Sequence, residues 1–257
     1  MKKKILIIIN SELFVRNYLK TNSFKYLEKN FRTYFLANKE IKEKSVFKKK
    51  KFLGFFNYQE SDKIFISRIM NISMWRHRNR SKSFLYRIKW FSQIDLYELK
   101  NNFSFSLLKK KLKKILQVLK LNLYIRLIGN KIIYPFFEKF YIERINVLQS
   151  LEKKINKLKP DLIIFPTQSQ TKADYDIVKI CKKKNIKTFF LIDNWDNLSD
   201  KSIIYFKPDF LGVWGPQTKK HAIKIQNINS NKIFNLGTPR FEHYFDARKK
   251  KYMIFLN

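Results

Sequence analysis

The sequence is poor in residue types that would each point to a particular class of protein. Its 257 residues include one cysteine, Cys181, so an internal disulfide cannot form and a cysteine-based zinc site has no support. Five glycines and six prolines exclude collagen-like and Pro/Gly-rich low-complexity chains. The longest stretch without a charged residue, 162–171, has ten residues, whereas a membrane-spanning helix needs about 20. We therefore expect a cytoplasmic protein that is not integral to a membrane.

Acidic residues are also scarce. Twenty Asp and Glu face 55 Lys and Arg, which leaves a net charge of +35. Such a charge favours nucleic acid, anionic lipid or anionic substrates as partners. The excess is almost entirely lysine, and the chain is also rich in Ile, Asn, Phe and Tyr, a bias that an AT-rich genome would produce by itself. Because nucleic-acid binders prefer arginine for bidentate contacts, nucleic acid is not the partner we expect.

The first forty residues have a β-α-β pattern. The apolar run Ile5–Ile9 is too short for the core of a signal peptide and predicts a buried parallel strand. Apolar residues at near-helical spacing follow, and 33–37 predicts a second strand. The loop after the first strand contains no glycine, so the G-x-G-x-x-G fingerprint of a dinucleotide site is absent.

Residues 41–157 are mostly helical in pattern and strongly basic, which predicts a helical insertion. Its clearest element is a helix over 107–128. One face of this helix carries apolar residues, and lysines occupy the rest; the apolar set is Leu108, Leu112, Ile115, Leu119, Leu123 and Leu127. A basic amphipathic helix of this kind suits an anionic membrane surface. An ordinary surface helix packed on the core is the alternative.

From residue 157 to 242 strands and helices alternate. Apolar runs predict strands at 161–165, 188–192, 210–214 and 233–236, in addition to 4–10 and 33–37. Alternating strands and helices form a doubly wound parallel sheet, so the fold class predicted is α/β and Rossmann-like. Ligands of such sheets bind outside the carboxyl ends of the strands.

That rule selects the candidate site residues. Asp193 and Asp196 follow the strand at 188–192 and are the candidate catalytic carboxylates, since a carboxylate there could accept a proton from an acceptor hydroxyl. Helix capping and turn formation are the structural alternatives for both. The candidate substrate-binding residues are Ser11, Arg16, Asn17, Gln168, Asn194, Trp195, Asn197 and Arg240. No His, Cys, Asp or Glu spacing matches a metal site, so neither a metal nor a cofactor is predicted.

Four phrases of the sequence together resemble a known family. They are Lys-Pro-Asp-Leu-Ile-Ile-Phe (159–165), Phe-Phe-Leu-Ile-Asp-Asn-Trp-Asp-Asn-Leu-Ser (189–199), Pro-Asp-Phe-Leu-Gly-Val-Trp-Gly (208–215) and Asn-Leu-Gly-Thr-Pro-Arg-Phe-Glu (235–242). They resemble the N-terminal half of GT-B glycosyltransferases of bacterial surface-polysaccharide biosynthesis, near the UDP-N-acetylglucosamine 2-epimerases and CDP-glycerol glycerophosphotransferases. The resemblance covers 157–244 well and 1–40 loosely.

The resemblance implies a glycosyl or glycerophosphate transferase with two Rossmann-like domains. Residues 1–246 would form the N-terminal, acceptor-side domain, and 247–257 would be the linker and first strand of a truncated C-terminal domain, so the chain is expected to be inactive alone. The implied partners are a nucleotide-activated sugar or glycerol, bound only with a C-terminal domain, a separate subunit supplying that domain, and an anionic membrane at the inner face of the cell membrane. A noncatalytic binding remnant and a basic nucleic-acid-binding protein are the alternative functions.

Overall fold

The fold is built on one parallel β-sheet. The computed structural model describes residues 2–58, 60–92, 105–169, 171–242 and 244. Within these residues, seven strands pair in parallel in the order β3-β2-β1-β4-β5-β6-β7. Their bounds are β1 (Lys4–Ile9), β2 (Arg32–Asn38), β3 (Phe52–Phe56), β4 (Leu162–Thr167), β5 (Lys187–Ile192), β6 (Phe210–Val213) and β7 (Ile233–Asn235). The predicted Rossmann-like α/β fold is therefore confirmed.

Helices connect the strands. They are α1 (Glu12–Phe14), α2 (Lys25–Asn30), α3 (Glu60–Arg76), α4 (Lys82–Ser92), α5 (Phe105–Ile128), α6 (Tyr134–Phe137), α7 (Gln149–Leu158), α8 (Lys172–Lys183) and α9 (Pro216–Lys224). Segments of π-helix extend α1 over Val15–Leu19 and α6 over Glu138–Ile142, and a third covers Asn197–Lys201. The connection from β3 to β4 alone contains α3 to α7.

The central strand β1 is buried on both faces of the sheet. Ile5, Ile7 and Ile9 pack on one side with Phe14 and the residues around α1 and α2. Leu6 and Ile8 point to the other side, into the core shared with α7, α8 and α9. Because successive side chains of a strand alternate between faces, an unbroken apolar run fits only a strand covered on both sides.

One strand departs from the sequence prediction. Residues 41–157 were expected to be mostly helical, yet β3 (Phe52–Phe56) lies within them and adds an edge to the sheet. The sequence pattern of β3 is weak because Gly54 interrupts its run of apolar residues. Gly54 has φ +98, and the register of β3 against β2 shifts at this position. Only Phe56 of this strand is buried. A half-buried edge strand lacks the strict pattern of a central one.

The helical region packs firmly on the Rossmann core. Ile69, Met74 and Phe84 from α3 and α4 share a cluster with Tyr175 of α8 and Ile203. Beside it, Lys172 forms a buried ion pair with Asp176 at 2.9 Å and also donates to the carbonyl of Asn146. Asp176 in turn accepts from the backbone N–H of Leu148 at 2.8 Å. These contacts tie the segment before α7 to α8.

Helix α5 ends at a point where it lies close to α3. Gly129 follows that helix, and a Cβ atom there would lie 2.7 Å from Cδ1 of Trp75 and 2.8 Å from the carbonyl oxygen of Ile125. Glycine therefore allows the end of α5 to rest against α3. Within the described residues, no helix is both long enough and apolar enough to cross a bilayer. The strand expected at 252–257 lies outside the described residues.

Candidate functional site

The candidate site lies at the carboxyl edge of the sheet. The order of the strands reverses between β1 and β4, because β1 leads outward to β2 and β3 while β4 leads to β5, β6 and β7. In doubly wound sheets the carboxyl ends beside such a switch point form a crevice. The loops after β1, β4, β5 and β7 supply the side chains described below.

Asp193, directly after β5, is the centre of a polar cluster. Its Oδ1 accepts a hydrogen bond from Nδ2 of Asn17 at 2.8 Å, and its backbone N–H donates to the carbonyl of Thr167 at 3.1 Å. The Gln168 side chain also hydrogen-bonds to the carboxyl group. Arg16 donates through Nε to Oδ1 of Asn17 at 3.1 Å. Residues of three separate loops thus meet at one carboxyl group.

The electrostatics of this carboxyl group are unusual for an aspartate. Asp193 is only 3% exposed. Burial raises its pKa, and this effect outweighs the hydrogen bonds from Asn17 and Gln168 and the positive charges of Arg240 and Arg16, which act in the other direction. A carboxyl group with a raised pKa beside two guanidinium groups is a candidate proton acceptor, since perturbed pKa values concentrate at functional sites.

A cavity of about 480 Å³ is lined by residues that adjoin the cluster in sequence, among them Tyr18, Ile192 and Pro239. Tyr18 lines the cavity and is buried, and its pKa is raised by burial and by the charge of Asp193. Thr238 and Pro239, the two residues before Arg240, line the same cavity. Its volume lies in the range of about 300–1,000 Å³ that small-molecule pockets occupy. The sequence neighbours of Asn17, Asp193 and Arg240 therefore line a space large enough for a monosaccharide-sized ligand.

The segment after β7 is held against the first loop. Both carboxyl oxygens of Glu242 accept from Asn22, one from the backbone N–H at 2.8 Å and one from the side chain at 2.6 Å. Thr238 caps the short 3-10 turn Pro239–Phe241 by accepting from the backbone N–H of Arg240. These bonds bring Arg240 to the same edge as Arg16, although the two residues lie far apart in the chain.

The other sequence candidates occupy different positions. Asp196 pairs with Lys201 of its own segment at 3.5 Å. Asn197 is fully buried, and its two amide atoms have no hydrogen-bond partner among the described residues. Trp195 is 52% exposed and Asn194 is half-buried. Ser11 stands before α1, where its side chain makes no capping hydrogen bond. The cluster around Asp193 therefore includes Arg16, Asn17, Gln168 and Arg240 but not Asp196.

A second cavity, of about 320 Å³, lies at the ends of β1 and β2 beneath α3. Asn10 organises its floor: its Oδ1 accepts from the Tyr58 hydroxyl at 2.8 Å, and its Nδ2 donates to Oγ1 of Thr171 at 3.1 Å. Burial raises the pKa of Tyr58 well above its usual value, so the phenol stays neutral and donates. Ser11 lines this cavity.

Of the residues at this second cavity, the sequence selects Ser11 but not Tyr58 or Thr171. Tyr58 follows β3, a strand inside the 41–157 segment that the sequence predicts to be helical, so the rule about strand ends does not select it. Thr171 and Asp174 form a capping box at the start of α8, in which the backbone N–H of Thr171 donates to Asp174 at 2.7 Å. The spacing Thr-x-x-Asp before an apolar run was the available signal for that pair. No comparable local pattern marks Tyr58 or Tyr18.

Comparisons with known proteins identify no family. No protein-family model matches the sequence, and no curated protein is significantly similar to it. Among solved structures, UDP-N-acetylglucosamine 2-epimerase from Rickettsia bellii aligns with a TM-score of 0.44 and 10% sequence identity. The alignment covers 96% of this chain and 48% of that structure, so the chain spans about half of its length. A similarity at this level does not assign an activity.

Proposed function

We propose that this chain is the acceptor-side domain of a GT-B-like transferase that moves a glycosyl or glycerophosphate group in surface-polysaccharide biosynthesis. The observation that carries the proposal is the meeting of Asp193 with Asn17, Gln168, Arg16 and Arg240 at the carboxyl edge of a Rossmann-like sheet. The four phrases that resemble GT-B proteins include Asp193 and Arg240. The cavity lined by Tyr18, Ile192 and Pro239, the sequence neighbours of Asn17, Asp193 and Arg240, is the proposed space for the acceptor.

The proposed chemistry assigns Asp193 as general base. Its carboxylate takes the proton of an acceptor hydroxyl while that oxygen attacks the activated group. The new bond forms to carbon or phosphorus of the transferred group, and the bond to the nucleotide leaving group breaks. Arg16 and Arg240 would bind phosphate oxygens of the acceptor or donor, since guanidinium groups match phosphate geometry. A further domain or subunit would hold the nucleotide.

Trp195 is the candidate contact for a sugar ring. It stands two residues after Asp193 and exposes half of its surface at the end of β5. An exposed indole face can cover the apolar face of a sugar, whereas most tryptophans are buried in a core. This role predicts that Trp195→Ala weakens acceptor binding without lowering the thermal stability of the protein.

Binding of a defined acceptor analogue tests the site. Titration calorimetry with a short-chain polyprenyl diphosphate carrying N-acetylglucosamine is expected to detect binding to the purified chain. Arg240→Gln should weaken that binding about tenfold or more, because a hydrogen bond to a charged group contributes about 1.5–3 kcal/mol. The matched control is Asp161→Asn, an exposed carboxyl at the opposite, amino edge of the sheet. Equal weakening by the control, or no binding by the wild type, would contradict the proposal.

Complementation in the source cell tests catalysis. A strain without this gene should regain its surface glycan with the wild-type gene and not with Asp193→Asn, since loss of a general base lowers rates by about 10²–10⁴-fold. Full restoration by Asp193→Asn would favour a noncatalytic binding role. Immunoblots for protein level separate a catalytic defect from poor folding.

A further inference from the structure

The outer face of α5 carries a continuous row of exposed leucines. Leu112, Leu116, Leu119, Leu123 and Leu127 are each between 52% and 60% exposed. We call these five residues the leucine face. Their spacing of four, three, four and four residues keeps them on one side of a helix. At a rise of about 1.5 Å per residue the row is about 22 Å long.

The leucine face is not the side that holds α5 to the protein. Ile125 is buried and packs in a cluster with Ile72 of α3 and Tyr134 of α6, and Leu121 and Ile128 pack against the same cluster. At about 100° per residue, Ile125 lies about 160° around the helix from Leu123 and Leu127. The helix thus has one apolar side that packs on the core and a second that faces solvent.

Positive charge borders the leucine face. The helix contains seven basic residues and no acidic one; the basic residues are Lys109, Lys110, Lys111, Lys113, Lys114, Lys120 and Arg126. Lys113 and Lys120 are exposed and follow the leucine row on one side, and the exposed Arg126 lies on the other. An apolar row between cationic flanks is complementary to a surface that is apolar below and anionic above.

This charge pattern decides between two occupants. A second copy of the chain meeting α5 face to face would place Lys113, Lys120 and Arg126 of both copies together, because a two-fold interface repeats the same surface on both sides and α5 contains no acidic residue. Helix pairs held by leucine rows instead use opposite charges at the flanking positions. An anionic bilayer satisfies both features, since it accepts the leucines and attracts Lys113, Lys120 and Arg126.

We propose that α5 docks on an anionic membrane surface through the leucine face. The helix lies in the plane of the membrane, with the leucine face at the boundary between headgroups and acyl chains and Lys113 and Lys120 at the lipid phosphates. Exposed apolar side chains continue after the helix at Ile132, Phe136 and Phe140. The proposal does not depend on the transferase assignment, because it concerns a surface remote in sequence from the Asp193 cluster.

Vesicle sedimentation with paired variants tests the proposal. The probes are vesicles of phosphatidylcholine alone and of phosphatidylcholine mixed with phosphatidylglycerol. Leu116→Gln with Leu123→Gln should lower the partition constant on the mixed vesicles by about a hundredfold, and the salt-resistant part of the binding should disappear. Lys113→Gln with Lys120→Gln should lower it about thirtyfold at low salt, from about 1 kcal/mol for each residue.

Each control variant substitutes two residues, as the α5 variants do, but on other exposed surfaces of the protein. Tyr26→Gln with Ile223→Gln changes two exposed apolar residues on α2 and α9, and Lys25→Gln with Lys29→Gln removes two exposed lysines from α2. Both controls should bind as the wild type does. Circular dichroism and thermal unfolding verify that each variant folds.

Three outcomes would overturn the proposal. The first is equal binding to vesicles with and without phosphatidylglycerol. The second is equal loss in the α5 variants and their controls, which would assign the binding to the total charge alone. The third is a dimer in sedimentation velocity that Leu116→Gln with Leu123→Gln converts to a monomer, since the leucine face would then be a contact between copies.

Discussion

Asp193 illustrates at the scale of one residue how position changes the chemistry of a side chain. The same side chain on the surface would be an ordinary anion. Here burial opposes the ionisation of the Asp193 carboxyl group. The guanidinium groups of Arg16 and Arg240 and the side-chain amides of Asn17 and Gln168 favour its ionisation, but their effect is smaller. The balance leaves a carboxyl group whose pKa is raised, so its carboxylate takes up a proton more readily than that of an exposed aspartate, as a general base requires.

The raised pKa of Asp193 predicts the sign of a stability effect. The folded chain keeps this proton at pH values where the unfolded chain has released it, so stability falls as pH rises from about 3.9 through the raised folded value. Asparagine cannot ionise. Asp193→Asn should therefore raise the midpoint of thermal unfolding at pH 7 relative to wild type, and the difference should shrink as the pH falls toward about 4.

Asp209 provides a control of opposite sign. Burial opposes its ionisation, but hydrogen bonds from Lys187 and Thr188 outweigh burial and lower its pKa. Asp209→Asn should therefore lower the unfolding midpoint at pH 7, and its effect should fade below the pKa of the unfolded chain. If Asp193→Asn instead lowers the unfolding midpoint at pH 7, the hydrogen bond that Asn17 donates to the Asp193 carboxylate stabilises the wild-type protein by more than the burial of this charge costs.

The candidate site was partly predictable from these residues. Asp193, Gln168 and Arg240 follow strands whose apolar patterns are clear, so the rule about carboxyl ends selects them. Asn17 and Arg16 are also selected, because they follow the first strand. Tyr18 and Tyr58 were not, since a tyrosine in a helical or irregular stretch carries no local sign of the cavity that it lines.

Helix α5 shows at the scale of an element that an amphipathic pattern is compatible with two orientations of the helix, with either apolar side against the core. The sequence predicts a helix at 107–128, and the structure has it at Phe105–Ile128. Leu112, Leu119, Leu123 and Leu127 were predicted to share an apolar face, and this face is exposed. The packed side is formed instead by Leu121, Ile125 and Ile128. Periodicity locates the helix but does not say which of two apolar sides meets the core.

The junction after α5 gives a second prediction at this scale. Gly129→Ala should lower the free energy of unfolding by about 1–3 kcal/mol, because the new methyl group would overlap Trp75 and the carbonyl of Ile125 and an overpacked site must shift. Chemical denaturation followed by tryptophan fluorescence measures the change. A near-neutral result would show that α5 can move away from α3 at little cost.

Gly215 supplies the matched control. Its backbone is extended, at φ 178, and no atom lies within 4 Å of a Cβ placed there. Gly215→Ala should change stability by no more than about 0.5 kcal/mol, as expected for a substitution that meets nothing. The contrast between the two glycines isolates the effect of the close contact from the general effect of replacing glycine.

Charge dominates the molecule as a whole. With 55 basic and 20 acidic residues, at least 35 basic residues cannot pair one to one with an acidic residue. Self-repulsion of this size destabilises a compact state, and salt screens it over a Debye length of about 10 Å at 0.1 M. The unfolding midpoint should therefore rise when sodium chloride is added from a few millimolar to physiological strength.

Circular dichroism melts across a sodium chloride series check this prediction. Lys25→Gln with Lys29→Gln serves as the charge control, since removing two exposed positive charges should reduce the dependence on salt. A midpoint that is constant or falls with added salt would show that local pairs such as Lys172–Asp176 and Lys187–Asp209 outweigh the net repulsion.

The sequence by itself determined the class of fold, because a buried strand or an amphipathic helix is written in neighbouring residues. Six of the seven strands in the described part of the chain follow from apolar runs, and β3 was not predicted because Gly54 and a half-buried edge weaken its pattern. The tertiary structure alone decided the rest. Asn17 reaches Asp193 across 176 residues, and the exposed side of α5 is whatever α3 and α6 leave uncovered. Both depend on the order of strands and on packing between distant segments, and the spacing of apolar residues along a short stretch of sequence contains no information about either.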